Sequence, residues 1–173
     1  MRIALLLLAG LALSACGFHL RENVKLPAGM QRVHMVVSDS GDLQRKLTQA
    51  LVASGIDVED DSGPGIAELN VPTASFKTDS LSQGGYVRIT EYAVRYHVKF
   101  FVNDANGQTL LPPQRIDMQR EYSYDTSDAS GNAAQVEQLK KSLNDDMVQA
   151  ILFRLQAAGE HAQAVPAPAA SAP

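Results

Sequence analysis

The sequence predicts an α+β fold, a two-layer sandwich in which two amphipathic helices pack on one face of a roughly four-stranded, mainly antiparallel sheet. Several segments carry apolar residues at every second position, which is the period of a strand. Two others carry them three and four residues apart, which is the period of a helix. The order is strand, helix, several strands and a long helix. Stacking both helices on one sheet face buries every apolar stripe.

The first strand and the first helix are predicted within residues 30–53. Val33, Met35 and Val37 stand at every second position, so they share one face of a strand over residues 30–38. Residues 38–41 then break the strand and offer helix N-caps. An amphipathic helix of about four turns follows, with Gly55 just past its end. Its apolar stripe consists of Leu43, Leu47, Ala50, Leu51 and Ala53.

Two strands are predicted in the middle of the chain before the longest one. Residues 56–58 form a short strand, and a polar, glycine-rich turn follows it. Residues 66–77 form the next strand, in which Pro72 implies either an edge position or a bend. The acidic residues around Asp60 suit a solvated loop better than a calcium site, because they lack the spacing of a calcium loop.

A long β-hairpin is predicted from residue 91 onward. Over residues 91–102, apolar and aromatic residues alternate with mostly polar ones, as in an antiparallel sheet with one covered face and one wet face. Asn106-Gly107 predicts the hairpin turn. The returning strand is expected to start after Pro112 and Pro113.

The final helix carries an apolar stripe of more than five turns. Asn132 is predicted to cap its start, with Gln135 reaching back in the manner of a capping box, and Gly159 is predicted to end it. Residues 160–173 are rich in Ala and Pro and are predicted to be a disordered tail. Residues 30–159 are accordingly predicted to form a single domain.

The first residues predict an exported lipoprotein. Arg2 precedes an apolar run over residues 3–13 that is too short to span a bilayer, so residues 1–15 are predicted to be a signal peptide. Leu13-Ser14-Ala15-Cys16 matches the bacterial lipobox, in which the thiol is alkylated with diacylglycerol before cleavage. Cys16 is therefore the predicted lipidation site, and residues 16–29 a linker to the domain. An ordinary secretory signal that happens to contain a cysteine is the alternative.

Lipidation of Cys16 has consequences for chemistry and location. Cys16 is the single cysteine, so an internal disulfide, a cysteine nucleophile and a cysteine metal site are all excluded. A diacylglycerol and an acyl chain together anchor a protein stably, whereas one chain binds only marginally. Gly17 stands where an aspartate signals inner-membrane retention in enteric-type sorting. The expected location is the periplasmic face of the outer membrane.

Composition and motifs favour a binding or structural role over catalysis. Without Arg2, 14 basic residues face 19 acidic ones, a net charge of −5 that argues against a general nucleic-acid binder. The sequence contains no serine-hydrolase, zinc-protease or phosphate-loop motif and no Cys/His pair. Its four histidines are scattered, and His34 is better read as a surface strand residue than as a metal ligand. Neither an enzyme activity nor a cofactor is expected.

The start of the mature chain resembles the LPS-assembly lipoprotein family LptE. The carriers of the resemblance are Cys16-Gly17-Phe18-His19-Leu20-Arg21, the following Leu26-Pro27, the Ser38-Asp39-Ser40-Gly41 break, Glu91-Tyr92, and the final helix with its low-complexity tail. The resemblance implies a plug inside the outer-membrane β-barrel LptD, which helps that barrel to assemble and binds lipopolysaccharide on its way to the cell surface.

The resemblance also implies basic residues that contact lipopolysaccharide, before the long strand and at the start of the last helix. The nearest matches are Arg88 in the first region and Lys140 and Lys141 in the second. The second region departs from the family pattern, because residues 131–135 contain no basic residue. Solvated surface charge is the alternative interpretation for all three side chains.

The sheet face away from the helices is the other candidate site. It is expected to be wet and to be either an interface or ordinary surface, with charged and aromatic candidates at Tyr86, Arg88, Arg95, His97, Lys99 and Arg120. A second function is therefore kept open: a free-standing periplasmic lipoprotein that binds a small ligand or an envelope polymer on this face.

Overall fold

The computed structural model describes residues 26–38, 40–81, 91–125 and 127–164, with side chains up to residue 161. It confirms the predicted α+β class, with two helices and a sheet. The elements, in chain order, are β1 (Arg32–Val37), α1 (Gly41–Ala53), β2 (Asp57–Glu59), β3 (Ala67–Ser80), β4 (Glu91–Asn103), β5 (Thr109–Ser123) and α2 (Ala129–Ala164).

The sheet is mixed and has five strands in the order β2-β1-β3-β4-β5, one more than the roughly four expected. β1 lies between β2 and β3 and is parallel to both, whereas β3, β4 and β5 are antiparallel. The connection from β1 to β2 runs through α1, as a parallel pair requires. Gly55 follows the helix at φ +84°, a left-handed conformation that glycine adopts without steric cost, so the predicted helix end is confirmed.

The hydrophobic core lies between the sheet and the two helices. Both stripes predicted from the sequence point into it, although Ala50, Val136 and Leu139 are only partly buried. Ala53 is exposed, so its predicted place in the stripe of α1 is wrong. The fully buried core residues of the helices are Leu43, Leu47, Leu51, Leu143, Met147, Ile151 and Leu155. From β4 the core takes Val94, Tyr96, Val98, Phe100 and Val102, which confirms the period-two pattern. Leu26, in the predicted linker, packs against this core, and Pro27 is buried.

Pro72 does not mark β3 as an edge strand, because β3 lies in the centre of the sheet. The pairing of β3 with β4 shifts register between Asn70 and Thr73, and Pro72 lies within that irregularity. Proline has no N–H to donate to a ladder, so a bulge accommodates it. Of the two predicted alternatives, the bend is confirmed and the edge is wrong.

β5 starts earlier than predicted and contains Pro112 and Pro113 rather than following them. It is an edge strand, so its outer side has no ladder to interrupt among the described strands. On the inner side, Gln114 pairs with Phe100 and Leu111 with Val102, so the two prolines together oppose one residue of β4. The predicted start was wrong because a bulge at an edge tolerates two prolines.

The predicted ends of α2 are both wrong. The helix starts at Ala129, and the carboxylate of Asp128 accepts from the Gly131 N–H at 2.8 Å, which makes Asp128 the N-cap. Asn132 lies inside the first turn, where its side chain accepts from Asp125 N and donates to Asp125 O. At the other end the helix continues past Gly159 to Ala164. A helical glycine costs only about 1 kcal/mol relative to alanine, which packing on both sides of it can offset.

Among the described residues, neither helix is both long and apolar enough to cross a membrane.

Truncating the core side of α2 should destabilise the fold strongly. Ile151 is fully buried, whereas Phe153, two residues on, is 70% exposed. We expect Ile151→Ala to lower the free energy of unfolding by about 2–5 kcal/mol, because it leaves a cavity. Phe153→Ala on the same helix should change it by less than about 0.5 kcal/mol. Urea unfolding followed by circular dichroism measures both, and equal losses would contradict the burial described above.

The turn of the β4–β5 hairpin should contribute to the pH dependence of stability. Gly107 in this turn adopts φ +78°, as the sequence predicts. Asp104 Oδ1 accepts from the N–H groups of Gln108 and Asn106 at 2.7 and 2.8 Å. These hydrogen bonds lower the pKa of Asp104, and the bond from Gln108 has the larger effect. Because the folded-state pKa lies below the unfolded value of about 3.9, the stabilisation is present above that pH and is lost as the pH falls through the folded pKa.

Asp104→Asn keeps the accepting oxygen but cannot titrate. We expect its urea midpoint to lie below that of the wild type at pH 7 and to fall less between pH 5 and pH 2.5, so that the two proteins converge at low pH. Midpoints measured at half-unit pH intervals test this, and parallel curves would rule out a contribution from Asp104.

Candidate functional site

Charged side chains line several surface depressions formed by the described residues, and two of these depressions are candidate sites. The first, which we call the helix groove, lies between the start of α1 and the first half of α2 and has a volume of about 690 Å³. Its lining residues are Ser40, Gly41, Asp42, Arg45, Lys46, Phe76, Ala134, Glu137, Gln138, Lys140, Lys141 and Asn144. The second, of about 640 Å³, lies on the side of the sheet away from the helices, which we call the open sheet face.

Local structure at the start of α1 positions one wall of the helix groove. Ser40 caps this helix, with its Oγ accepting from Leu43 N at 3.4 Å. Arg45 and Lys46 follow one turn later. The opposite wall comes from α2, where Glu137, Lys140 and Lys141 are three to four residues apart and so share one side of the helix.

A buried polar pair lies beneath the helix groove, whose lining Asn144 joins. Tyr96 Oη donates to Asn144 Oδ1 at 3.2 Å, and both residues are at least 95% buried. Burial raises the pKa of Tyr96, so its hydroxyl remains a protonated donor. The Phe76 ring stacks on the Tyr96 ring with 3.9 Å between centroids and adds an apolar patch to the lining. Within the described residues, Asn144 Nδ2 has no hydrogen-bond acceptor.

Cations outnumber acids in the helix groove. Four basic side chains and two carboxylates line it. Arg45 pairs with Asp42 at 2.6 Å and Lys140 with Glu137 at 2.8 Å. Lys46 reaches across to Asp145 of α2, just outside the lining, and so links the two helices. Lys141 forms no ion pair with any described residue. Exposed pairs of this kind contribute between zero and about 1 kcal/mol each.

On the open sheet face, charges of both signs are matched across three strands. Asp79 of β3 pairs with Lys77 at 2.6 Å and with Arg95 of β4 at 3.4 Å. Asp117 of β5 pairs with Arg115 at 2.7 Å and with His97 of β4. These basic partners lower the pKa of each carboxylate. The largest effect comes from the hydrogen bond with Lys77 for Asp79 and from the hydrogen bond with Arg115 for Asp117. Both acids therefore stay ionised at neutral pH, and each is paired with two of the basic side chains beside it.

The structure places some of the predicted site residues and corrects one. Lys140 and Lys141 both line the helix groove. Cys16, Tyr86 and Arg88 lie outside the described residues. Arg95, His97 and Lys99 lie on the open sheet face as expected, because they alternate with the buried positions of β4.

Arg120 was wrongly expected on the open sheet face. It pairs in register with Val94, a core residue, so it lies on the helix side of the sheet, where it contacts Asp146 of α2 at 2.7 Å. His34 lies on β1 with its Nδ1 3.1 Å from Glu59 O, as a surface strand residue would. In the ranges that the structure covers, no three His, Cys, Asp or Glu side chains cluster as metal ligands.

The sequence did not predict the α1 wall of the helix groove or the polar pair beneath it. Arg45 and Lys46 read as the polar side of an amphipathic helix, and Asn144 reads as a polar interruption of an apolar stripe. The one available signal was Asn144, a polar residue next to Leu143 at a position that faces the core. Its contact with Tyr96 spans 48 residues of sequence.

Comparison with known proteins points to one family. The family model described as "LptE: Lipopolysaccharide-assembly" matches residues 30–155. The LPS-assembly lipoprotein LptE of Yersinia enterocolitica is 27% identical over 161 residues, covering 87% of this chain and 74% of that protein.

Solved structures share the fold. An uncharacterized lipoprotein B from Nitrosomonas europaea matches with a TM-score of 0.68 and 24% identity, over 86% of this chain and 94% of that one. The rare lipoprotein B from Shewanella oneidensis matches with a TM-score of 0.66 and 21% identity, over 76% and 98%. A minor lipoprotein from Acinetobacter baumannii matches with a TM-score of 0.62 and 23% identity, over 74% and 92%. At these identities the likeness concerns the fold alone.

The buried pair beneath the helix groove should show strong coupling. We expect Tyr96→Phe to cost about 1–3 kcal/mol of unfolding free energy, because it leaves the buried Asn144 oxygen without its donor. Adding Asn144→Leu removes the unpaired group as well, so the double variant should lose less than the sum of the two single variants. A double-mutant cycle by urea unfolding measures the difference, and strictly additive losses would exclude this hydrogen bond.

Proposed function

This chain belongs to the LptE family of lipopolysaccharide-assembly lipoproteins, and from that premise we propose that it is a non-enzymatic, lipid-anchored plug of the outer-membrane β-barrel LptD. In this role it assists assembly of the barrel and takes part in the transport of lipopolysaccharide to the outer membrane. Its anchor is the diacylglycerol and acyl chain on Cys16, inserted from the periplasmic face.

The open sheet face carries the proposal. A large transmembrane barrel has a polar interior, so a domain enclosed in it needs a polar surface on the sides that face the wall. Here the sheet face without helices presents ionised Asp79 and Asp117 with their basic partners. Paired charges of both signs suit contact with another polar surface better than a single-sign field does, because neither partner is left with an uncompensated charge.

The width of the sheet limits which barrels are wide enough to enclose the domain. Five strands about 4.8 Å apart span roughly 20 Å between the outer strands. Barrels of eight strands are filled by their own side chains, whereas those of about 22 strands have room for a plug. The proposal therefore requires a large barrel.

Contact with lipopolysaccharide is proposed through basic residues. The proposed contacts are Lys140 and Lys141, which line the helix groove, and Arg88, which lies outside the described residues. Lipopolysaccharide carries phosphate groups on its lipid A portion, and lysine and arginine bind phosphate through charge-assisted hydrogen bonds.

A second candidate function is supported by the depression of about 640 Å³ on the open sheet face. Its lining of Lys77, Arg95, His97 and Arg115 with two carboxylates would suit a small polar ligand or an envelope polymer bound by a free-standing lipoprotein. This candidate requires no barrel partner.

Affinity purification from membranes distinguishes the two functions. We expect the tagged chain, extracted in mild detergent, to recover a large outer-membrane β-barrel in about equal amount. The intact mass of the purified chain should show acylation at Cys16 and the loss of residues 1–15. A chain recovered as a monomer without a barrel would refute the plug and leave the free-standing lipoprotein.

A charge-reversed variant locates the interface. Asp79→Arg with Asp117→Arg reverses both acids of the open sheet face and should reduce barrel recovery at least about tenfold, because it leaves like charges at the contact. Asp60→Arg with Asp61→Arg makes the same change in charge in the exposed loop after β2 and is the matched control. Equal recovery with both double variants would show that the open sheet face does not contact the barrel.

A further inference from the structure

We propose that this chain, outside any enclosing barrel, forms a two-fold symmetric dimer in which the outer edge of β5 pairs with β5 of a second copy. The two strands run antiparallel, and Met118 lies at the two-fold axis, so each copy offers the same surface to the other. The dimer rests on the sheet and on the sequence of β5, not on the function proposed above.

The two edges of the sheet differ in length. β2 has only three residues, and two of them, Asp57 and Glu59, are acidic. β5 has 15 residues, and no described strand lies on its outer side. An edge strand presents unpaired N–H and C=O groups, which can pair with a strand of another chain. β5 is therefore the edge that can add such a strand.

Two prolines limit the part of β5 that can pair. Pro112 and Pro113 have no N–H to donate, and the register with β4 is irregular around them, so the usable edge is residues 114–123. Residues that face each other across two strands lie on the same side of the sheet, so the axis passes through a residue and not between two. Met118 and Gln119 are the central residues of this range.

Charge decides between these two axes. With the axis on Met118, Arg115 of each copy faces Glu121 of the other. With the axis on Gln119, Asp117 faces Glu121 twice. Opposite charges directly across a strand pair stabilise it, and like charges destabilise it. The edge of β5 is therefore self-complementary about Met118.

The charges already present on the edge do not oppose this pairing. Residues 114–123 contain two basic and two acidic side chains, so the edge has no net charge. Arg115 bonds Asp117 of its own strand at 2.7 Å, but a guanidinium has five N–H donors and can bond a second carboxylate. Glu121 is exposed and forms no ion pair with a described residue. It is therefore available to a second copy.

An exposed aromatic side chain of α2 lies on the side of the helix that leads to the same edge. Asp146, Ala150 and Phe153 are four and three residues apart, so they share one side of α2. Asp146 contacts Arg120 of β5 at 2.7 Å, and the Phe153 side is 70% exposed. A second copy joined along β5 brings its own α2 to this side and covers the ring. Buried aromatic residues are typical anchors of protein interfaces.

The dimer is small in contact area and large in width. Ten paired residues form a ladder roughly 34 Å long, which makes a weaker interface than one of standard size. Ten strands about 4.8 Å apart span roughly 43 Å, about twice the width of one copy. A barrel that fits one copy therefore excludes the dimer, so that enclosure and self-association compete for the chain.

Sedimentation velocity of the full mature chain in mild detergent tests the dimer, with micelles in excess so that two chains rarely share one by chance. We expect the wild type to be half dimeric at about 10 µM. Glu121→Arg and Arg115→Glu should each weaken association at least about tenfold, because each places like charges opposite each other twice. Glu160→Arg makes the same change in charge on an exposed residue of α2 and should weaken it less than about twofold.

A mixture of the two charge variants tests the register. In a heterodimer of Glu121→Arg with Arg115→Glu, the introduced arginine faces the introduced glutamate, and the two native residues face each other. We expect the mixture to associate within about threefold of the wild type, although each variant alone is weakened. Phe153→Ala should weaken association at least about threefold while its urea midpoint stays close to that of the wild type.

The outcomes separate the dimer from the proposed function. A wild type that stays monomeric up to about 200 µM would overturn the dimer, and the function would stand if that monomer still recovered a barrel. Association that neither charge variant weakens would place the contact elsewhere and overturn pairing through β5. Weakening without recovery in the mixture would overturn the axis on Met118. If a charge variant fails to fold by circular dichroism, Phe153→Ala decides whether the contact lies at this edge.

Discussion

Burial of one face of β4 beneath the two helices is the constraint on which the rest of the molecule depends. Tyr96, Val98 and Phe100 are fully buried on that face, in one core with the leucines of α1 and the apolar stripe of α2. Because strand side chains alternate, burying this face places Arg95, His97 and Lys99 on the other side of the sheet. A slip of one residue in β4 would exchange the two sets, so core packing also decides which charges reach solvent.

The same packing creates two surfaces of different chemistry. The open sheet face has ion pairs that link β3 with β4 and β4 with β5, whereas the helix groove is lined by four basic and two acidic side chains above a buried polar pair. A lipoprotein that lies inside a polar barrel while handling a phosphorylated lipid would use both, one against the protein partner and one against the ligand. In the proposed arrangement, an acyl anchor on Cys16 would keep the plug close to the membrane that holds its barrel.

Polar residues inside the fold have structural tasks that their sequence positions disguise. Asn132 looks like a helix cap but holds Asp125 to the first turn of α2, while Asp128 provides the cap. Asn144 looks like a break in an apolar stripe but accepts from Tyr96 under the groove. Short polar side chains bond whatever lies near them in space, so sequence spacing alone could not assign these partners.

The sequence by itself determined the fold class, the type and order of the main elements and the family resemblance, because periodicity and short motifs depend on residues that are close along the chain. The tertiary structure decided the strand order, the bulges at Pro72 and at the paired prolines, and the side of the sheet on which Arg120 lies. It also brought Arg45 and Lys46 of α1 opposite Lys141 and Asn144 of α2. About a hundred residues separate these side chains, and only the packing of both helices on one sheet face places them around a single groove.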